Sequence, residues 1–371
     1  MMRHIYILLV FVFLSIPASA INADSLEAVY TELDQVLAKA PEYIAKRQHQ
    51  IDKVKKQLAA TKDAQKQYTL CYRLYELYYP YIHHDACLYL SRCITLAERL
   101  GRKEDADCCR ARLAKLLVGA GFYDEAREYL AQMNPSRLTG EPLMLYEVAA
   151  RALYGELAYY TTMPDLKEKY DSLTGYHENA MMKLLPKNSP TYLMTRQNQL
   201  TTAKQGAAAL KLNTRWLKMT PVDSHDYAMV TLYRYLAYMA VGDTTTMMYW
   251  VTKSVISDIE HGVADQGSIW ELANQLMLRG DVERAYRYIS FASQCANTFG
   301  ARQRKWQVAP LMAYLADKYK AASEQSHARL LLSILALSIF FIIALVLLFI
   351  AIRQRNHVKQ QRNLLYESNA R

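Results

Sequence analysis

Residues 330–352 read LLLSILALSIFFIIALVLLFIAI: twenty-three positions without a charge, in which Ser333 and Ser338 are the only polar side chains. No other stretch limits the fold so tightly. Bilayer hydrocarbon holds no water to meet backbone N–H and C=O groups, so a single crossing segment must be a helix that satisfies them internally. At ~1.5 Å of rise per residue this one covers roughly 35 Å, enough for a ~30 Å hydrocarbon core with some tilt. A core helix of a water-soluble protein would show a polar face over six turns, and this segment has none. Residues 330–352 are therefore expected to form one transmembrane helix.

The N-terminus, MMRHIYILLVFVFLSIPASA, has a different pattern. A short basic start at Arg3 and His4 precedes an apolar run from Ile5 to Ile16, then Pro17 and the small-residue site Ala18-Ser19-Ala20. That is the form of a cleaved secretory signal, so residues 1–20 are expected to be removed after Ala20. The signal would send residues 21–329 out of the cytoplasm. Arg353, Arg355, Lys359 and Arg362 follow the span, whereas the ten residues before it hold only Lys320 and Arg329. This positive-inside bias places residues 353–371 in the cytoplasm as a basic juxtamembrane tail, whose charges favour anionic lipid. The formal net charge of +10 is thus partly topological, because the tail holds five basic residues and one Glu. The large domain keeps only about +5, thinly spread, and no nucleic-acid partner is expected.

Between the two apolar segments the chain reads as helix after helix, without strand alternation. Few Gly (12 in 371 residues) and many Leu, Ala, Tyr, Lys and Gln suit that state. Turn residues cluster at Pro80, Gly101, 119–121, 134–142, 186–190, 220–226, Gly242, 261–267 and Gly280, which suggests helical hairpins of roughly 20 residues per helix. The phrase GFYDEAREYL at 121–130 matches the turn and second helix of a tetratricopeptide repeat. Leu113, Ala114 and Leu117 precede Gly121; Ala126 and Leu130 follow it. A second match runs through Ile269, Leu272, Ala273 and Leu276 to Gly280, then Ala285, Ile289 and Ala292. A looser third has Leu70, Leu74 and Leu77, then Ala86, Leu90 and Cys93, with no Gly at the turn. Small residues let paired helices approach, and one hairpin cannot bury its own apolar stripe, so hairpins must stack. The expected fold is all-α: a tetratricopeptide-like helical-hairpin superhelix over 21–329, continuous or broken into two lobes near 186–190, followed by the single transmembrane helix.

The order is a signal, then DSLEAVYTELDQVLAKAPEYIAKRQHQIDKVKKQL (24–58), repeats, GARQRKWQVAPLMAYLADKY (300–319) and one span. This arrangement resembles a family of Gram-negative bacterial membrane proteins, tetratricopeptide-repeat proteins with a domain of unknown function regarded as signalling or transcriptional regulators. The resemblance implies a bacterial inner-membrane, single-pass protein with its repeat domain in the periplasm. Members of such families continue past the span into a coiled coil and an output region; the present sequence runs 19 residues beyond Ile352.

Catalytic constellations are absent from the sequence. Ser224-His225-Asp226 are adjacent and read as a loop, since triad geometry comes from a fold and not from neighbouring positions. No metalloprotease, P-loop or nucleophile-elbow motif occurs. His83, His84, Asp85 and Cys87 could ligate a metal, but the plainer reading makes Asp85 the N-cap of a helix beginning ACLYL. None of the six Cys forms C-x-x-C, and most fall at apolar helix positions, as core thiols do. An exterior location would permit a disulfide among the five at 71–109, with no pair singled out. No enzyme activity, cofactor or metal is expected.

The 29 Tyr are more telling. Tetratricopeptide geometry applied to YTLCYRLYELYYPY places Tyr68, Tyr75, Tyr78 and Tyr79 on a concave groove. The same register puts Trp270, Asn274 and Met277 on the concave side of the last repeat. Aromatic side chains give rigid contact area at low entropic cost, so these residues are the expected ligand-binding set, against the alternative that they pack on neighbouring hairpins. The expected function is a membrane-anchored periplasmic sensor or regulator that binds a protein or peptide-like ligand and relays its state across the inner membrane. A passive tethered adaptor that scaffolds envelope proteins is the alternative. Homodimerisation stays open: the span has no GxxxG, and Val358 and Leu365 alone do not make a heptad pattern.

Overall fold

A computed structural model describes residues 21–265, 267–300 and 302–369; the expected signal at 1–20 lies outside the described residues. Fifteen α-helices and one 3-10 turn account for them, and no strand occurs among the described residues. The helices are α1 (Ala23–Ala38), α2 (Ala40–Ala59), α3 (Ala64–Tyr78), α4 (His83–Arg99), α5 (Lys103–Ala120), α6 (Tyr123–Ala131), α7 (Gly140–Tyr160) and α8 (Pro164–Leu184). Then come α9 (Pro190–Thr202), α10 (Gly206–Met219), α11 (Asp226–Val241), α12 (Thr244–Glu260), α13 (Gly267–Leu278), α14 (Val282–Phe299) and α15 (Arg302–Asn369). The chain divides into two compact units, one ending at Met312 and one starting at Ala313.

In the first unit successive helices pair as antiparallel hairpins, α3–α4, α4–α5, α7–α8, α11–α12 and α13–α14 among them. The turn after α5 shows why the sequence folds there. Gly121 has φ +84°, its N–H bonds Val118 O at 3.0 Å, and Phe122 N–H bonds Leu117 O at 2.9 Å. A residue with a Cβ is strained in that conformation, so Gly both ends α5 and aims α6 back along it. Gly280 repeats the device between α13 and α14, at φ +84°. Ala114 and Ala126 are fully buried in one cluster with Leu130, which lets α5 and α6 approach. Leu113 is buried in the neighbouring cluster, and Leu117 is half-buried against both. Leu272, Ala273, Ala285 and Ala292 are buried in the α13–α14 hairpin.

Some boundaries differ from the sequence reading. Asp85 does not cap α4: the helix begins at His83, with Ile82 in the cap position, and Asp85 lies in the first turn. There it still faces the positive end of the helix dipole. The break at 203–205 has no Gly in the left-handed position; Lys204 adopts φ +58° instead.

The two ends of the array meet. α1 packs against α12 rather than along α2. Lys253 Nζ bonds both carboxylate oxygens of Glu32 at 2.8 Å, Arg287 reaches Asp34 at 2.9 Å, and Tyr288 donates to Asp34 at 3.1 Å. Arg284 pairs with Glu27 and lies 4.8 Å from the Tyr30 ring centroid. Below this clasp, Arg47 of α2 donates to His261 O at 2.9 Å and to Leu77 O at 2.7 Å. Pro80 O accepts the N–H groups of Ala264 and Asp265 at 2.7 and 3.2 Å. One core cluster accordingly joins Ile51, Leu74, Leu90 and Leu113 to Ala264, Cys295 and Phe299.

In the second unit the segment 330–352 is helical and its apolar side chains are exposed. This C-terminal helix is long and apolar enough to cross a membrane, by length and composition. Arg353, Arg355 and Lys359 lie on its exposed surface beyond that segment, and Arg362 follows one turn later.

Candidate functional site

Helical periodicity sorts the tyrosines of α3. Positions 68, 72, 75 and 79 fall on one face of a 3.6-residue helix, and 71, 74 and 78 on another. The first set forms a ladder: ring centroids are 6.4 Å apart for Tyr68–Tyr72, 5.5 Å for Tyr72–Tyr75 and 5.8 Å for Tyr75–Tyr79. Arg102 stands 4.6 Å from the Tyr68 centroid and Arg112 5.8 Å from that of Tyr72. Tyr78 is a correction to the sequence reading. It is 2% exposed, stacked on Tyr89 at 5.7 Å, and belongs to the core beside Cys71 and Leu74. Tyr72, which the groove assignment omitted, takes its place on the ladder. The i, i+4, i+7, i+11 spacing was the available signal.

Tyr79, 40% exposed, ends the ladder and borders two cavities. The first, about 150 Å³, lies between Tyr75 and Tyr79 on one side and Arg112, Lys115, Met144 and Leu185 on the other. The second, about 190 Å³, opens on the far side of Tyr79, where Pro80, His225, Met229, Asp258 and Arg304 line it. Burial pushes the Tyr68, Tyr72 and Tyr75 phenols above their ordinary range. A phenol is protonated at neutral pH with or without that shift, and the Tyr68 hydroxyl already lies 3.8 Å from Cys109 Sγ.

Trp270, Asn274 and Met277 sit half-buried on α13, and neither cavity beside Tyr79 includes them. The indole Nε1 of Trp270 is buried with no hydrogen-bond partner. The His83 group is packed: its Nε2 lies 3.2 Å from Leu116 O and its ring stacks on Phe122 at 5.7 Å. Burial drives that imidazole toward its neutral form. Among the described residues no set of three His, Cys, Asp or Glu is placed to hold a metal ion. All six Cys are free thiols, five of them buried.

Stacked hairpins with left-handed Gly turns, small residues at the crossings and an aromatic face define a helical-repeat protein of the tetratricopeptide type, a non-enzymatic protein-interaction fold. The chain belongs to the family described as the SusR N-terminal TPR domain, whose model matches residues 37–310. No curated protein matches it. Among solved structures it is similar to the TPR2AB-domain:pHSP90 complex of yeast Sti1, at 13% identity over 77% of this chain and 99% of that one, with a TM-score of 0.29.

Proposed function

We propose that residues 21–329 form an extracytoplasmic, periplasmic scaffold that binds a protein or peptide-like ligand on the Tyr68–Tyr72–Tyr75–Tyr79 face. The observation that carries this reading is the aromatic ladder with its flanking cavities, on a fold whose family is built for protein interaction. Residues 330–352 anchor the scaffold in the inner membrane as a single span. Arg353, Arg355, Lys359 and Arg362 sit against anionic lipid on the cytoplasmic side. The protein acts as a regulator: it relays the ligand's presence inward through α15, which runs from Arg302 to Asn369 and includes the span. A ligand shifts such an equilibrium only by its differential affinity for two states. No catalysis is assigned to it.

The clasp of α1 on α12 and α14 favours a second reading, a passive adaptor, because it ties the array against internal movement. A photo-crosslinking residue at position 75 or 79 of the full chain, in intact cells, tests the binding face. Discrete protein adducts are expected there and not from position 88, an exposed site on α4. Equal adducts from all three positions would sink the face assignment. With a reporter grafted after Arg371, output that follows removal of the crosslinked partner supports relay; unchanged output supports the adaptor.

A further inference from the structure

The cavity beyond Tyr79 holds a buried carboxyl that forms no ion pair among the described residues. Asp258, on the last turn of α12, is 8% exposed. Its Oδ2 accepts from Ser268 Oγ at 2.8 Å, in the first turn of α13. Its Oδ1 accepts no protein hydrogen bond among the described residues but is open to the cavity, and no Lys, Arg or His forms an ion pair with it there. The other charged groups facing the cavity are already engaged. Arg304 gives Asp265 two hydrogen bonds, at 3.0 and 2.7 Å. Burial and the neighbouring His261 hold His225 toward its neutral form, with Asp226 and Arg47 close by. The thiol of Cys295 faces Asp258 from α14 and is pushed up by burial. The Arg304 guanidinium and the partial positive charge at the start of α13 favour the carboxylate, but burial and Asp265 act against it.

An ion left uncompensated at such a depth is costly, and it resolves the cost by taking a proton or by meeting a cation. The walls say which kind of cation. Ala228, Met229, Leu232 and Val263 are apolar, and Tyr79 offers an aromatic ring. A divalent metal needs several His, Cys, Asp or Glu ligands together, and the described residues place no such set. An alkylammonium uses one carboxylate, an aromatic ring and apolar contact together. We propose that this cavity binds an ammonium group, with the Asp258 carboxylate as its counterion and Tyr79 alongside. The ammonium comes from a free amine or from the N-terminus or a lysine of a peptide. The site shares Tyr79 with the proposed binding face and sharpens that reading, but it stands without the relay.

The full chain in detergent is titrated calorimetrically with n-butylammonium chloride, with sodium chloride at the same ionic strength as the control. Alanyl-alanine amide and its N-acetyl form are run in parallel. Saturable binding of butylammonium is expected, about tenfold weaker for each pH unit below 7, where the proton competes for Asp258. Asp258→Asn keeps an acceptor for Ser268 and should weaken binding at least tenfold. Binding of the free dipeptide amide and not the acetylated one assigns the peptide source; binding of butylammonium alone assigns a free amine. If Asp258→Asn fails to fold, the pH dependence of the unaltered protein decides. Binding with no pH dependence, an unaffected Asp258→Asn, or no saturable binding of either amine overturns the proposal. Protein adducts from position 75 without butylammonium binding would leave the binding face standing and sink this site, and butylammonium binding without such adducts would do the reverse, so the two readings fail separately.

Discussion

Asp258 also makes stability depend on pH, with a sign fixed by its surroundings. Burial raises its carboxyl from about 3.8 to about 7 in the folded chain. Between those values the folded protein holds a proton that the unfolded chain has released, so stability falls as pH rises through that window. His225, depressed by burial, acts the other way: its contribution is present above the ordinary imidazole range and is lost as pH falls. The difference between the parent and Asp258→Asn isolates the first effect. Denaturant midpoints are expected to converge near pH 4 and to separate toward pH 7, with the variant the more stable. A constant difference would contradict the raised carboxyl. A packing prediction belongs here too. Ala126 is fully buried at the α5–α6 crossing, and Ala126→Leu should cost about 1–3 kcal/mol in chemical denaturation by overpacking. Residue by residue, small-residue crossings and glycine turns were plain in the sequence because each has one steric cause. Tyr72 and Tyr78 were confused because a stretch with six tyrosines in fourteen residues satisfies several registers at once. Only the partner helix decides which face is buried.

The helices themselves were legible, and their long-range pairing was not. Apolar periodicity shows that α1 has a face to bury; it does not show that the face lies on α12, more than two hundred residues later. The ion pairs that fix this contact involve Glu27, Glu32 and Asp34, charges that alone look like an ordinary solvated helix surface. Their side chains are partly exposed, so each pair is worth only a few tenths to about 1 kcal/mol. Arg47 is different. It is largely buried and serves two backbone carbonyls from separate parts of the chain. Arg47→Met leaves His261 O and Leu77 O without that donor and is expected to destabilise by about 2–4 kcal/mol. Glu32→Gln should cost less than about 1 kcal/mol, measured by the same denaturant series. If the two variants were equally mild, the seam would not be a principal tie of the array.

At the scale of the whole chain, 23 uncharged residues leave little room for misreading, and the C-terminal helix has the length and composition to cross a bilayer. An alkaline phosphatase fused after residue 329 should be active, and one fused after residue 371 inactive, if the proposed orientation is right; the reverse pattern would invert it. The sequence also pointed to hairpin stacking, because repeats announce themselves by period. That the stack closes between Pro80 and the 264–265 segment was hidden, since backbone carbonyls leave no trace in composition. That closure bears on how the protein is made. A linear solenoid can fold repeat by repeat as it leaves a translocation channel. Here Pro80 O waits for Ala264 and Asp265, and Asp34 waits for Arg287 and Tyr288. The leading helices must emerge with an apolar face uncovered until roughly the last hairpin has crossed, an interval in which export chaperones would have their longest hold on the chain.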